Sequence, residues 1–227
     1  MSLRALDAVK KSDTIIGYSL YIDLIRDIAG GKEIISSAMR KEVERVELAI
    51  QEAQNGKTVS IISSGDSGVY GMSGLVLEIL YKENISLSLE IIPGIPAANT
   101  AAALLGAPLM HDYAVISLSD LLTPWEMIEK RVRNAAEADF VIVIYNPKSS
   151  QRDWQLKKTI EIILEYKSTA TPVGIVKKAK REGESILITT LDNIEQDLID
   201  MMTIIIIGNS SSFIFQNYMV TKRGYDI

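Results

Sequence analysis

"IISSGDSGVYG" (residues 61–71) decides how the rest of the chain is read, because β-favouring apolar positions run straight into Ser-Ser-Gly-Asp-Ser-Gly. Glycines at the mouth of a strand let the backbone approach a ligand closely, and the Asp66 carboxylate can accept from hydroxyl or amino groups. At the carboxyl end of a parallel strand this is the edge where open α/β sheets bind their ligands. An ordinary Asp-Ser-Gly turn that only caps the next helix fits the same residues. Both readings stand on this stretch alone.

Upstream, "RKEVERVELAIQEAQNGK" (40–57) sets Val43, Val46, Ile50 and Ala53 at helical spacing and stops at Asn55-Gly56. "TVSIISSG" (58–65) follows at once as a buried strand. Downstream, "SLSLEIIPG" (86–94) predicts a second strand closed by Pro93-Gly94, and "AANTAAALLG" (97–106) a small-residue helix ending at Gly106. Ala97 and Ala98 leave backbone open to a flat ligand, although small helical residues also serve plain close packing. The unit so far is strand, loop, helix.

The second half continues with "DYAVISLSD" (112–120) and a helix start in which Thr123 caps, Pro124 takes the first position and Glu126 completes a T-x-x-E box. Trp125, Ile128, Val132 and Ala136 mark its inner side. "DFVIVIYNP" (139–147) reads as a fully buried strand and "WQLKKTIEIILEY" (154–166) as a helix. "TPVGIVKKA" (171–179), "SILITTL" (185–191) and "TIIIIGNSS" (203–211) read as strands. Strands alternating with helices predict mostly parallel sheets, and the closely spaced late strands an antiparallel portion. The expectation is an α/β protein of two domains, 1–109 and 110–227.

Composition narrows the function classes. The 227 residues are 47% hydrophobic and 23% charged, which suits a packed globular chain. A net charge of -5 argues against a general nucleic-acid or membrane-surface binder. With no cysteine and one histidine, disulfides, thiolate metal sites and iron–sulfur clusters drop out, and no metal site is read. The longest apolar runs fall far short of the roughly 20 residues a membrane helix needs, and no signal peptide opens the chain. A soluble cytoplasmic protein is expected.

Two basic clusters follow predicted strands. Asn146, Lys148 and Arg152 come just after "FVIVIY", and Lys177, Lys178, Lys180 and Arg181 lie in "VKKAKRE" (176–182). In an acidic chain such clusters suggest recognition of a polycarboxylate or phosphate, although a solvated loop is the usual reason for a charge run. His111 has Asp112 beside it to orient or charge it. No Walker A loop and no G-x-G-x-x-G fingerprint is present, so kinase, NTPase and standard dehydrogenase readings lose ground.

Taken together the segments resemble the tetrapyrrole methylases, and within them the precorrin-3B C17-methyltransferases of cobalamin synthesis. "SSGDSGVYG" followed by "IIPGIPAAN" carries the general likeness. "ISSAMRKEVERVELAI", "LLGAPLMHDYAVISLSDLLTPWEMIEKR", "VIVIYNPKSSQR" and "PVGIVKKAKREGESILITTL" carry the narrower one, from about Arg4 to Tyr225. The resemblance implies the tetrapyrrole methylase fold: two α/β domains with S-adenosylmethionine in a cleft between them, in a homodimer. It also implies methylation at C17 of precorrin-3B or its cobalt form with contraction of the macrocycle to precorrin-4. Another precorrin position, or a non-catalytic tetrapyrrole binder, is the alternative.

By the same resemblance Asp66, Ser67 and Val69 fall in the cofactor loop and Ala97 and Ala98 in a second cofactor segment. Tyr145, Asn146 and Ala179 match further cofactor-facing positions. A corrin precursor bears many carboxylates, which makes Lys148, Arg152, Lys177, Lys178 and Arg181 the substrate candidates. His111, Asp112 and Asp120 are the titratable groups expected to serve the acid–base steps of contraction.

Departures from the pattern are equally specific. The family's opening strand and G-x-G-P-G loop have no counterpart before "RALDAVKKSDTIIGY" (4–18). The expectation is an N-terminal domain missing its first strand, in a shortened chain with "MSL" as a start scar. Ser67 stands where the family usually has proline, a lost constraint worth about 0.4–1 kcal/mol. "KKAKRE" departs as well, since the subfamily commonly has an Asn and an aromatic in this segment, and Lys178 and Lys180 are expected to alter substrate contacts.

Overall fold

The computed structural model describes residues 1–149 and 152–226, and they group into two units, Met1–Pro96 and Ala97–Ile227. The expected boundary at 109 and 110 therefore differs from the division by contacts. The helix that opens at Ala97 groups with the second unit because it lies on that unit's sheet.

In the first unit, α1 (Leu3–Lys11) starts where the Ser2 hydroxyl accepts from the Ala5 amide at 3.2 Å. Then come β1 (Thr14–Tyr18), α2 (Ser19–Asp23), β2 (Glu33–Ser37), α3 (Glu42–Gln54), β3 (Val59–Ile62) and α4 (Ser73–Lys82). The sheet order is β2-β1-β3 and both pairings are parallel, with Thr14 opposite Glu33 and Val59. Ile15 and Ile16 of the central strand are buried. All three strands consequently deliver their carboxyl ends, at Tyr18, Ser37 and Ile62, to one edge.

Three expectations are corrected here. On α3 the buried residues are Arg45, Val46, Ala49 and Ile50, while Val43 stands 51% exposed. The inner stripe is rotated so that an arginine takes the place the apolar spacing gave to valine. β3 is only partly buried throughout, because it lies at an edge of the sheet. Residues 85–96 form no strand: among the described residues no strand pairs with them in a ladder. Their side chains still do half of a strand's work, with Ile85 and Leu87 packed against Val46, Ile50, Val76 and Leu80. A strand is completed by a neighbour's ladder and not by its own alternation.

Gly74, in the first turn of α4, would meet nothing within 4 Å if it carried a Cβ. Gly74→Ala is therefore expected to raise stability by about 0.4–1 kcal/mol through the unfolded state. Urea midpoints of the two proteins check this, and a lower midpoint would refute it.

The second unit opens with α5 (Ala97–Leu105) and the short β4 (Gly106–Ala107). These lead to β5 (Tyr113–Ser117), α6 (Trp125–Glu137), β6 (Val141–Tyr145), α7 (Trp154–Leu164), β7 (Pro172–Lys177) and β8 (Ser185–Thr190). Last come β9 (Thr203–Ile207), β10 (Ser212–Phe215) and β11 (Tyr218–Thr221). The main sheet runs β5-β6-β9-β7-β8. Only β5 and β6 pair in parallel, so antiparallel pairing dominates here rather than forming a late addition. The last strand of the five, β9, enters the middle, and its five residues are all buried. That explains the four consecutive isoleucines after Thr203: a strand flanked on both sides and covered on both faces shows no apolar–polar alternation.

Helix α6 buries Ile128, Val132 and Ala136 as the spacing predicted, with Trp125 edge-to-face against Trp154 at 4.8 Å. Its capping box does not form. Pro124 is itself the N-cap, with ψ 142°, and no side chain caps the helix. The helix starts one residue later than predicted, which moves Thr123 out of capping range. On the other face α5 rests on β7 because Gly174 has no side chain: a Cβ there would lie 2.3 Å from the buried Leu105 Cδ1. The hairpin β10–β11, joined at Gln216 with φ 53°, pairs with β4 and was not anticipated.

Candidate functional site

Each unit carries one part of the predicted site. In the first, the chain leaves β3 and turns through Gly65 with φ 71°. The Asp66 carboxylate then accepts from two backbone amides, Gly68 at 2.8 Å and Gly94 at 2.8 Å. These amides of Gly94 and Gly68, helped by that of Val69, hold the Asp66 carboxyl below its ordinary range. Ser67 donates its hydroxyl to the Ile92 carbonyl at 3.2 Å, while its own carbonyl accepts from the Ser73 amide at 3.1 Å and the Ser73 hydroxyl at 2.8 Å. The serine that stands in place of proline thus contributes a bond that proline could not make.

Two glycines let this loop close. A Cβ on Gly94 would lie 1.9 Å from the Gly65 carbonyl oxygen, and one on Gly71 would lie 2.3 Å from that of Ser67. The loop is therefore backbone packed on backbone, pinned at Asp66. The Asp66 carboxylate does not cap the next helix, whose N-cap is Met72 without a side-chain bond; it pins a glycine-containing turn at the sheet's carboxyl edge.

Linkage fixes the sign of the pH effect. A depressed folded pKa adds stability that is present above the unfolded value of about 3.9 and is lost as pH falls through the folded pKa. Asp66→Asn should accordingly lower the urea midpoint at pH 7 and narrow its gap from the unsubstituted protein below about pH 4. An equal gap at pH 7 and pH 3 would show that the carboxylate charge carries no part of the pin.

In the second unit Ala97, Tyr145 and Ala179 pack against one cluster that contains Ala98, Ala101, Leu105 and Val176. The Ala98 amide, a first-turn donor of α5, gives its hydrogen to the Tyr145 hydroxyl at 2.9 Å. Asn146 takes a left-handed φ of 49° and donates from Nδ2 to the Ser117 hydroxyl at 2.9 Å. Four residues separated by more than eighty positions are thus brought together at the carboxyl ends of β6 and β7, with Asn146 following directly.

The basic candidates part company. Arg152 is buried at 7% exposure, and its Nη1 donates to the Leu118 carbonyl at 2.7 Å and the Asn146 carbonyl at 2.6 Å. Burial draws its pKa down from the usual value. This guanidinium is occupied in holding backbone. Lys177 pairs with Asp200 at 2.7 Å. Lys148 Nζ donates to the Gln196 carbonyl at 3.4 Å, and the residue lines a cavity of about 340 Å³ with Ser149, Ile199, Asp200, Met201 and Met202. Lys178 and Lys180 flank Ala179 with φ of 50° and 56°, and the Arg181 amide donates to the Lys178 carbonyl at 2.9 Å. Left-handed lysines are uncommon, and two in one turn give the segment after β7 a sharply folded course.

The titratable candidates do not form one group. His111 Nδ1 accepts from the Asp112 amide at 2.9 Å, and both side chains lie largely in solvent. Asp120 stands elsewhere: it accepts from Gln155 Nε2 at 2.8 Å and faces Arg152 Nε at 3.9 Å. Among the described residues no hydrogen bond or ion pair joins it to His111 or Asp112.

The family model for tetrapyrrole (corrin/porphyrin) methylases matches residues 1–195. The chain belongs to the tetrapyrrole methylase family. Within it, the chain is 50% identical over 226 residues to a cobalt-factor III methyltransferase of Priestia megaterium, covering 98% of this chain and 42% of that protein. It thus spans less than half of that relative's length. A probable cobalt-factor III C(17)-methyltransferase of Salmonella typhimurium strain LT2 is 44% identical over 227 residues, covering 100% of this chain and 94% of that one. The crystal structure of the methyltransferase CobJ superposes with a TM-score of 0.93 at 31% identity, covering 98% of this chain and 93% of that chain. The tetrapyrrole methylase fold is therefore the fold of this protein.

The residues missed by sequence reasoning are the supports. Arg45 is buried at 5% exposure against Ser37, Ala38 and Met72, yet it sits in a run of charges that reads as a solvated face. Gln155 sits in α7 with 2% exposure. Neither carries a motif signal, because a buried polar residue is recognised only once its acceptors are placed.

Proposed function

We propose that this protein is an S-adenosylmethionine-dependent methyltransferase that methylates C17 of precorrin-3B or cobalt-precorrin-3, with ring contraction to the corresponding precorrin-4, in cobalamin synthesis. The observation that carries the reading is 44% identity along the whole chain to a relative named for C17 methylation, of which this chain covers 94%. The site residues suit the cofactor. Exposed Gly65 and Gly68 present backbone without side chains, and Ala97 and Ala179 leave room beside the Tyr145 ring.

S-adenosylmethionine supplies an electrophilic methyl group on a sulfonium. The protein's part is alignment, which is worth roughly 7–11 kcal/mol when reacting atoms are held in line. Asp66, Ser67 and Val69 shape one cofactor segment; Ala97, Ala98, Tyr145, Asn146 and Ala179 shape the other. Lys148, Lys178 and Arg181 are the cations assigned to the substrate's carboxylates. Lys177 joins them through its pair with Asp200, while Arg152 serves the substrate side by holding Asn146. Asp120, fixed by Gln155, and the exposed His111 and Asp112 are assigned to proton transfer during contraction. A homodimer in the cytoplasm completes the reading. Among the described residues no helix is long and apolar enough to cross a membrane.

Incubation with S-adenosylmethionine and each corrin precursor, followed by mass and absorption, tests the proposal. A product that gains one methyl group and loses the uncontracted chromophore is expected. A methylated product with an uncontracted ring would move the activity to another position of the macrocycle.

A further inference from the structure

The Arg45 guanidinium is buried without an acidic partner. Nε donates to the Ser37 hydroxyl at 2.8 Å, Nη2 to the Ala38 carbonyl at 2.9 Å, and Nη1 points at the Met72 sulfur at 3.8 Å. Among the described residues no carboxylate lies within ion-pair distance of it. A buried cation with only neutral acceptors is costly, so its geometry has to give something that an apolar residue of the same size would not.

The three acceptors lie on two segments far apart in the chain. Ser37 ends β2 and Ala38 follows it, whereas Met72 closes the Asp66 loop and opens α4. Met72 is a junction in its own right: its amide donates to the Ser63 hydroxyl at 3.1 Å and its carbonyl accepts from the Val76 amide at 3.1 Å. Ser73, next in the chain, donates twice to the Ser67 carbonyl. A planar fork that grips the end of β2 and the thioether of Met72 therefore sets where the glycine loop closes relative to the sheet edge. Lysine carries its three donors on one nitrogen and lacks the spread plane that reaches both segments.

We propose that Arg45 is a positioning residue for the Asp66 loop, acting through Met72 to hold the loop in the form that binds S-adenosylmethionine. The inference rests on the cofactor reading above. The experiment compares S-adenosylhomocysteine affinity, by calorimetry on the full chain, for the unsubstituted protein, Arg45→Met, Arg45→Lys and Val9→Ala. Val9 is buried in α1 and packs in a separate cluster with Ile15, Ile22, Ile25 and Ala29, so its truncation lowers the stability of the same unit away from Met72.

Loss of a charged hydrogen-bonding anchor depopulates the binding-competent form of the loop, and apparent affinity falls with that population, so Arg45→Met is expected to weaken binding by about 10- to 100-fold. Arg45→Lys should recover at most part of this, and Val9→Ala should bind as the unsubstituted protein does. If Arg45→Met does not fold, Met72→Ala removes the other end of the contact and should show the same loss. Unchanged affinity in the Arg45 or Met72 variants, or an equal loss in Val9→Ala, overturns the inference. Absence of binding by the unsubstituted protein overturns the cofactor reading itself, and the inference with it.

Discussion

Gly94→Ala should cost about 3 kcal/mol or more and abolish S-adenosylhomocysteine binding, because overpacking against rigid neighbours lies at the top of the usual range. The added Cβ would lie 1.9 Å from the Gly65 oxygen, 2.9 Å from its carbonyl carbon and 3.2 Å from the Asp66 Cα, all backbone atoms. No rotamer change relieves such a contact. Relief requires the turn at Gly94 to withdraw from Gly65, and withdrawal breaks the 2.8 Å bond from the Gly94 amide to Asp66. Urea unfolding and ligand titration read the two effects separately. A midpoint within error of the unsubstituted protein would show that the loop tolerates displacement and would remove the pin from the account of the site.

Arg152→Met is expected to lose about 3 kcal/mol, since two buried carbonyl acceptors forfeit their charged donor and Asp120 its facing cation. The acceptors are the carbonyls of Leu118 and Asn146, at 2.7 and 2.6 Å. Asn146 holds a left-handed φ of 49°, so releasing its carbonyl also frees the segment beyond Tyr145 to relax. Lys148→Met, four positions earlier, should change stability by no more than about 0.5 kcal/mol, as surface substitutions do. The pair therefore separates a residue that holds backbone from one proposed to face the substrate. Equal effects on stability would erase that distinction.

The legible parts of the fold were those whose own residues suffice to specify them. The buried side of α6 followed from Trp125, Ile128, Val132 and Ala136, and "FVIVIY" could hardly be anything except an inner strand. Features that depend on a second segment were not legible. The stretch 85–92 alternates like a strand but has no ladder neighbour among the described residues, and β9 gives no hint that it inserts between β6 and β7. Val43 fits the helical stripe of α3 as well as Val46 does, but the rotation of the helix is set by where Arg45 finds acceptors. The same divide runs through the site. Asp66, Ala98 and Tyr145 announced themselves through a recognisable pattern, whereas Arg45 and Gln155 look in sequence like any other charged or amide residue on a helix.

The Asp66 pin also has a kinetic face. The amides of Gly68 and Gly94 are both satisfied by one carboxylate rather than by a ladder or a helix. Their exchange with deuterated solvent therefore clocks the opening of that single turn, independently of unfolding elsewhere in the unit. Gly94, preceded by residues without ladder bonds, should exchange far sooner than the amides of β1. Any ligand that seats against the loop will announce itself first as slowed exchange at these two glycines.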